Sequence, residues 1–394
     1  RRPVEDRRFV AGRGKFIADL DRPNMLHVAP LASHYAAAVI NGIDASAALA
    51  MPGVVDVITG AELAAAVEPL MNGLNTPNVR RFPLAVDRVR YAGEWVCAVV
   101  AESRALAEDA LEKIIVDATP QPFILDAEAA LLETSAPVHP EHGSNLLLDR
   151  KFVWGPVDDD FDAAAHSLSF SVTWGRNSTV PIETFGVLAE WNGWDQMLDI
   201  WASIQMPKYA DQIARSLNLP SNAIRVHYDV DVGGSYGVKR GIKHSVLVGY
   251  IARKLGCPVR LIEDRLENMR AGDAHGPERK FDITIAFDQD GTVRSMKMRA
   301  LDNAGAYAGR APFQLGKPIS AIVGPYQINS VAYHALSVTT NKTVQEAVRG
   351  FGQAPTNYAI ETAMDRVAEY LGMDRLALRQ KNLIREDQFP YLIP

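Results

Sequence analysis

An α+β fold is predicted by three observations. Residues 91–101 form an almost unbroken apolar run, Tyr-Ala-Gly-Glu-Trp-Val-Cys-Ala-Val-Val-Ala, as expected of a strand buried on both faces. Helical patterns follow strand patterns across short polar or glycine turns, at Ser103 and again at 233–241. No repeat of 20–50 residues organises the chain, so its 394 residues are read as two or three domains rather than an array.

The elements follow in order. Residues 13–58 read as a short strand region, a turn and a second apolar segment. A short helix over 44–50 is stopped by Pro52-Gly53. Ser103 caps a helix carrying Ala105, Ala107, Ala110 and Leu111, and Ile114 opens another strand. Glu94 is read as a strand-edge residue beside a turn rather than a catalytic acid. Residues 118–148 carry several prolines, two histidines and no sustained period, the pattern of a linker crossing the surface. His139 and His142 are expected there as solvated side chains, since a loop spacing of three makes a poor metal pair.

A second domain is expected from Lys151. Leu198, Ile200, Ala202 and Ile204 alternate with Asp199, Trp201 and Ser203, a strand with two unlike faces that ends at Gln205. Pro207 falls early in the next helix, whose buried face is Tyr209, Ile213 and Leu217. Ile224, Val226, Tyr228 and Val230 alternate into the turn 231–240, Asp-Val-Gly-Gly-Ser-Tyr-Gly-Val-Lys-Arg. A helix over 241–256 then closes on Gly256 and Pro258. A strand entering a glycine turn that enters a helix can bring backbone amides up to a phosphate. On pattern alone, a tight turn without a ligand competes with that reading. A strand at 281–287 turns at Gln289-Asp-Gly291. A second glycine turn, Val-Arg-Gly-Phe-Gly-Gln at 348–353, precedes a helix burying Ile360, Met364, Val367 and Leu371.

Composition narrows the function classes. Apolar residues are 47% and charged residues 22% of the chain, ordinary for a globular protein. A net charge of −6 argues against broad nucleic-acid or anionic-membrane contact. No run of 18 apolar residues is present, so no membrane span is expected. Cys97 and Cys257 lie apart in apolar surroundings and are read as buried small hydrophobes, not as disulfide, zinc or iron–sulfur ligands. The chain begins with Arg and shows no signal-peptide pattern, so the cytoplasm is the expected location, with a removed leader left open.

In order and spacing, Gln205, the 233–237 turn and the 349–352 turn resemble the molybdopterin-binding large subunit of the xanthine dehydrogenase/aldehyde oxidase family. Gly12-Arg-Gly-Lys-Phe-Ile-Ala-Asp, Ile43-Asp-Ala-Ser-Ala-Ala, Met51-Pro-Gly-Val-Val-Asp-Val-Ile-Thr-Gly60 and Val89-Arg-Tyr-Ala-Gly-Glu are similar to that family's N-terminal α/β hammerhead domain. The resemblance implies a hammerhead domain over 1–125, a linker over 126–150 and the first half of a molybdenum-cofactor domain over 151–394. It implies molybdenum held by a pterin dithiolene, with no protein side chain as metal ligand. It also implies hydroxylation of an electron-poor carbon of an N-heterocycle, aldehyde or related molecule, with water as the oxygen source. Partner subunits carrying 2Fe-2S clusters and FAD would take the electrons, and the pterin is expected in its cytosine dinucleotide form.

Carried over by position, Gln205 is the glutamine beside the metal, donating through its side-chain amide. Gly234, Ser235, Tyr236 and Gly237 stand for a Gly-Gly-Phe-Gly loop whose amides reach the cofactor, with Ser235 and Tyr236 as departures. Ser235 must avoid positive φ, and both added hydroxyls need polar partners. Arg349, Gly350, Phe351 and Gly352 match an Arg-Gly-Phe-Gly motif, its arginine near the metal and its phenylalanine stacking on a flat substrate. Gln205, Arg349 and Phe351 are thus the expected catalytic residues. Arg240 stands where purine-oxidising relatives carry a substrate-binding glutamate, and Lys317 falls near the place of their substrate-binding arginine. Together with Phe351 they are the expected substrate contacts and favour an anionic substrate, against the alternative of two solvated charges. Gly350 replaces the cysteine of copper-containing carbon monoxide dehydrogenases, which excludes that chemistry on this reading.

Family large subunits continue for several hundred residues and carry a catalytic glutamate late in the chain. Either a separate subunit holds the second half with that glutamate, as in four-subunit nicotinate-dehydrogenase-like enzymes, or the sequence is cut; the separate subunit is the expected partner. A catalytically silent scaffold without cofactor is the competing class, supported by Ser235 and Tyr236 and opposed by Gln205 and the Arg349 motif. A nicotinamide-dependent dehydrogenase is disfavoured, because the 233 turn lacks G-x-G-x-x-G spacing.

Overall fold

The computed structural model describes residues 5–70, 79–206, 208–270 and 274–391. Pro207 lies outside them. The N-terminal strands are β1 (Leu26–Ala32), β2 (Ala38–Asp44), β3 (Val54–Thr59), β4 (Arg88–Val89), β5 (Trp95–Ala101) and β6 (Ile115–Pro120). Next come β7 (Leu146–Trp154), β8 (His166–Trp174), β9 (Gly186–Asn192), β10 (Met197–Ala202) and β11 (Ile224–His227). The last are β12 (Val259–Ile262), β13 (Arg279–Phe287), β14 (Val293–Gly305) and β15 (Ser330–Thr339).

The apolar run at 91–101 becomes β5, and all seven of its residues are buried between β1 and β3. Ser103 caps the following helix, its hydroxyl accepting from the Leu106 amide at 3.2 Å. β5 belongs to a seven-stranded sheet ordered β11-β10-β9-β12-β1-β5-β3. β12 pairs in parallel with β1, Leu26 opposite Val259, so strands from the first 101 residues and from 186–262 share one sheet. The helix Lys243–Leu255 packs on it with Val246, Leu247, Val248, Ile251 and Ala252 buried. Fully burying such side chains stabilises by about 1.5–3 kcal/mol apiece for the larger ones. That helix ends at Gly256 in the left-handed region, as the Gly-Cys-Pro sequence predicts.

A five-stranded sheet, β7-β15-β14-β13-β8, forms the second core. The helix Gln353–Leu371 covers one face through Ile360, Met364 and Val367. A small third sheet, β4-β2-β6, completes the N-terminal region. No helix among the described residues is long and apolar enough to cross a membrane.

The segment read as a surface linker is partly structured and partly buried. It contains the end of β6 and a short helix, Ala127–Ala130, capped by Asp126. His139 is fully buried rather than solvated, and its Nε2 donates to the Ala306 carbonyl at 2.6 Å. Burial, then the neighbouring Arg90 charge, lowers its pKa to about 4. Glu94, expected at a strand edge, is buried: Tyr307 donates to it at 2.6 Å and the Arg90 amide at 2.5 Å. These groups clip the N-terminal region to the start of the loop after β14, which sequence periodicity could not show. Cys97 is buried, whereas Cys257 is only half-buried.

Candidate functional site

β10 ends at Ala202, and the chain leaves the sheet with Gln205 exposed three residues on. Its backbone amide donates to the Lys239 carbonyl at 3.1 Å, and its side-chain Oε1 accepts from the Gly237 amide at 2.8 Å. A backbone N–H can only donate, so the carboxamide orientation is determined and its NH2 group is left facing elsewhere as a donor. Gln205 and the 233–237 turn are therefore one unit.

Within that turn, positive φ falls on Gly234 at 94°, Tyr236 at 56° and Gly237 at 114°, and Ser235 is spared. Left-handed backbone costs a non-glycine residue roughly 1–2 kcal/mol, so Tyr236 carries local strain. Gly237 is sterically required: a Cβ there would lie 2.3 Å from the Ala347 carbonyl oxygen. That approach brings the two glycine turns into contact. Ser235 is buried, and its hydroxyl accepts from the Lys239 amide at 3.1 Å, whereas Tyr236 is about half exposed.

The second turn is held by its own backbone. Phe351 N–H donates to the Val348 carbonyl at 2.8 Å and Gln353 N–H to the Gly350 carbonyl at 2.7 Å. Gly350, Phe351 and Gly352 all have positive φ, at 101°, 32° and 86°. A Cβ on Gly352 would lie 1.8 Å from the Gln314 carbonyl oxygen, in the helix Ala311–Gly316. Lys317 places its Nζ 5.1 Å from the centroid of the Phe351 ring. Arg349 is exposed. No hydrogen bond or ion pair among the described residues joins Arg349 or Phe351 to Gln205; the first turn approaches the second through Gly237 against Ala347, the residue just before it.

Arg240 is half-buried, with its Nε out of contact with water and without a hydrogen-bond partner. Desolvation, and then the charge of Arg310, lower its pKa, against the pull of Glu346. Arg310 in turn sits 3.5 Å from Glu346 and 3.3 Å from the Met206 sulfur, beside Gln205 in the chain. Of the three expected substrate contacts, Arg240 is coupled to Arg310, and Lys317 is paired with Phe351.

Two residues that sequence reasoning passed over belong to this unit. Glu183 Oε2 accepts both from the Gly233 amide at 2.7 Å and from the Lys239 ammonium at 2.6 Å. Lys239 is only 1% exposed. The one signal in the sequence was a charged residue directly after a glycine turn. Beneath them Glu263 is buried, bonded to His244 at 2.6 Å and Asn268 at 2.8 Å. Burial works to raise the Glu263 pKa, but the His244 charge and these bonds bring it below the ordinary value. No cluster of three or more His, Cys, Asp or Glu suited to a metal ion occurs among the described residues.

Residues 138–383 match the molybdopterin cofactor-binding domain family, and residues 11–122 match the a/b hammerhead domain of aldehyde oxidase and xanthine dehydrogenase. The 6-hydroxypseudooxynicotine dehydrogenase complex subunit gamma of Paenarthrobacter nicotinovorans is 33% identical, over 98% of this chain and 49% of the relative. Quinoline 2-oxidoreductase from Pseudomonas putida 86 superposes with a TM-score of 0.89 at 33% identity, covering 98% of this chain and 50% of that one. CO dehydrogenase from Oligotropha carboxidovorans gives 0.92 at 29% identity, over 100% and 51%. The chain spans about half the length of these relatives. With both domain families matched in order along one continuous fold, the chain belongs to the xanthine dehydrogenase/aldehyde oxidase family of molybdenum hydroxylases and corresponds to a hammerhead and cofactor-binding portion of the large subunit.

Proposed function

We propose that this chain holds the pterin-bound molybdenum of a multi-subunit hydroxylase that oxidises an electron-poor carbon of an N-heterocycle or aldehyde. The observation that carries this reading is the Gly237-to-Gln205 hydrogen bond, which orients the carboxamide NH2 outward as a donor. The residues fit the group: the amides of Gly234, Ser235 and Tyr236 have no hydrogen-bond partner among the described residues, while those of Gly237 and Gly233 are already used. When bound, the cofactor supplies transfer of a water-derived oxygen to substrate and accepts two electrons.

The chain's own residues then bind and orient. Gln205 would donate to the bound group through its side-chain amide, and the 234–236 amides would help hold it. Arg349, Gly350, Phe351 and Gly352 would border the same group, with the Phe351 ring, 5.1 Å from the Lys317 ammonium, offered to a flat substrate. Arg240 places positive charge beside Gln205 and, with Lys317, favours an anionic substrate. The same reading requires the other half of the large subunit, with the proton-abstracting glutamate, together with 2Fe-2S and FAD subunits and the cytosine dinucleotide form of the pterin.

Metal and nucleotide analysis of the complex purified through this chain tests the reading. About one molybdenum and one pterin per chain are expected. Absence of both overturns it in favour of a silent scaffold, the reading that the unusual Ser235-Tyr236 pair supports.

A further inference from the structure

We propose that Glu183 and Lys239 are positioning residues that decide which amides of the glycine turn face its ligand and keep that face free of negative charge. The inference rests on the cofactor reading above. The turn's hydrogen bonds can be accounted for one by one. Gly233 N–H goes to Glu183 Oε2 at 2.7 Å and Gly237 N–H to Gln205 at 2.8 Å. Val238 N–H goes to the Ser235 carbonyl at 3.2 Å and Lys239 N–H to the Ser235 hydroxyl at 3.1 Å. Three consecutive donors remain, at 234, 235 and 236, bracketed by bonds on either side.

Glu183 ties down the entry to the turn twice, since its own N–H also donates to the Gly233 carbonyl at 3.3 Å. Its approach is close: a Cβ on Gly233 would lie 2.5 Å from the Glu183 Cβ. Thr179, four residues earlier, reaches the Ser235 carbonyl at 3.5 Å, so the segment runs alongside the whole turn. A carboxylate in this place by itself would repel a phosphate-bearing ligand. Lys239, from the exit of the same turn, cancels that charge at 2.6 Å. Burial works to lower the pKa of this lysine and Glu183 works against it, which ties the ammonium to its partner. One carboxylate oxygen thus joins both ends of the turn, and the lysine neutralises it.

The test measures pterin and molybdenum retained per chain, with thermal stability alongside, in the wild-type complex and in Lys239→Met, Glu183→Gln/Lys239→Met and Lys239→Arg variants. Lys239→Met leaves the carboxylate uncompensated, so retention should fall roughly tenfold, by analogy with the loss of groups that orient a metal site. The loss should deepen at low ionic strength, where charge repulsion is least screened. The double variant keeps an oxygen for the Gly233 amide and removes both charges, so it should recover most of the retention, as should Lys239→Arg. If Lys239→Met does not fold, the double variant and Lys239→Arg still decide the matter. Retention in Lys239→Met equal to wild type, or a salt-independent loss that neither other variant repairs, overturns the positioning role. A wild-type complex without pterin overturns the cofactor reading, and this inference falls with it.

Discussion

The two glycine turns both hold left-handed backbone, but by different means. The 233–237 turn is held by side chains: Glu183, Lys239 and Gln205 each bond to its main chain or to one another. The 349–352 turn is held by main-chain bonds to Val348 and Gly350 and by the steric seat of Gly352 against Gln314, while Arg349 is exposed. The first turn has a steric seat too, Gly237 against the Ala347 carbonyl oxygen, but the side chains that bond it can be exchanged one at a time with graded effects. Away from Gly237 the first turn should therefore be tunable, whereas the second should be brittle.

The largest effect should come from Gly352→Ala. It forces a Cβ to within 1.8 Å of a carbonyl oxygen at a φ of 86°, and should cost about 4 kcal/mol. Denaturant unfolding measures it; a loss under about 1 kcal/mol would show that the second turn is not brittle. Next is a perturbation outside both turns. His139 has its pKa lowered to about 4 from 6.5, so the folded state favours the neutral ring. Stability is then complete above pH 6.5 and declines as pH falls toward 4, by up to about 3 kcal/mol. Melting the chain between pH 7 and 4 should show that decline, and His139→Gln should flatten it. Acid should loosen both turns alike, because His139 bonds to neither.

A smaller change is expected from Gln205→Ala, which removes one bond to Gly237 at an exposed position and should cost about 1 kcal/mol. Hydrogen exchange at Gly237 should quicken while the amides of Phe351 and Gln353 stay as they are. Equal quickening in both turns would mean that they move as one body. The smallest is Lys317→Ala, which loses a cation–π contact of roughly 0.5–1 kcal/mol. It should alter the surroundings of Phe351 without changing exchange at Gly237.

Much of this arrangement was legible in the chain. Alternation through 198–204 followed by a polar residue placed Gln205 just past a strand, although β10 already ends at Ala202; the first turn was legible between a strand and a helix, the second only as the start of a helix. Ser235 avoids positive φ as its Cβ demands, and Tyr236 takes it instead. Glu183 was not legible, because its importance comes from Lys239, 56 residues away. His139 was misread as solvated because its acceptor, the Ala306 carbonyl, is 167 residues distant and no local period announces it.

Local sequence thus determined the glycines, caps and apolar periods, because those depend on the φ range, the missing Cβ and the burial preference of each residue with its near neighbours. Tertiary structure alone decided that β1 pairs with β12, that Gly237 meets Ala347 and that one carboxylate joins both ends of a turn. Those outcomes rest on contacts of a few ångströms between groups far apart in the chain, a quantity that no pattern along the chain encodes.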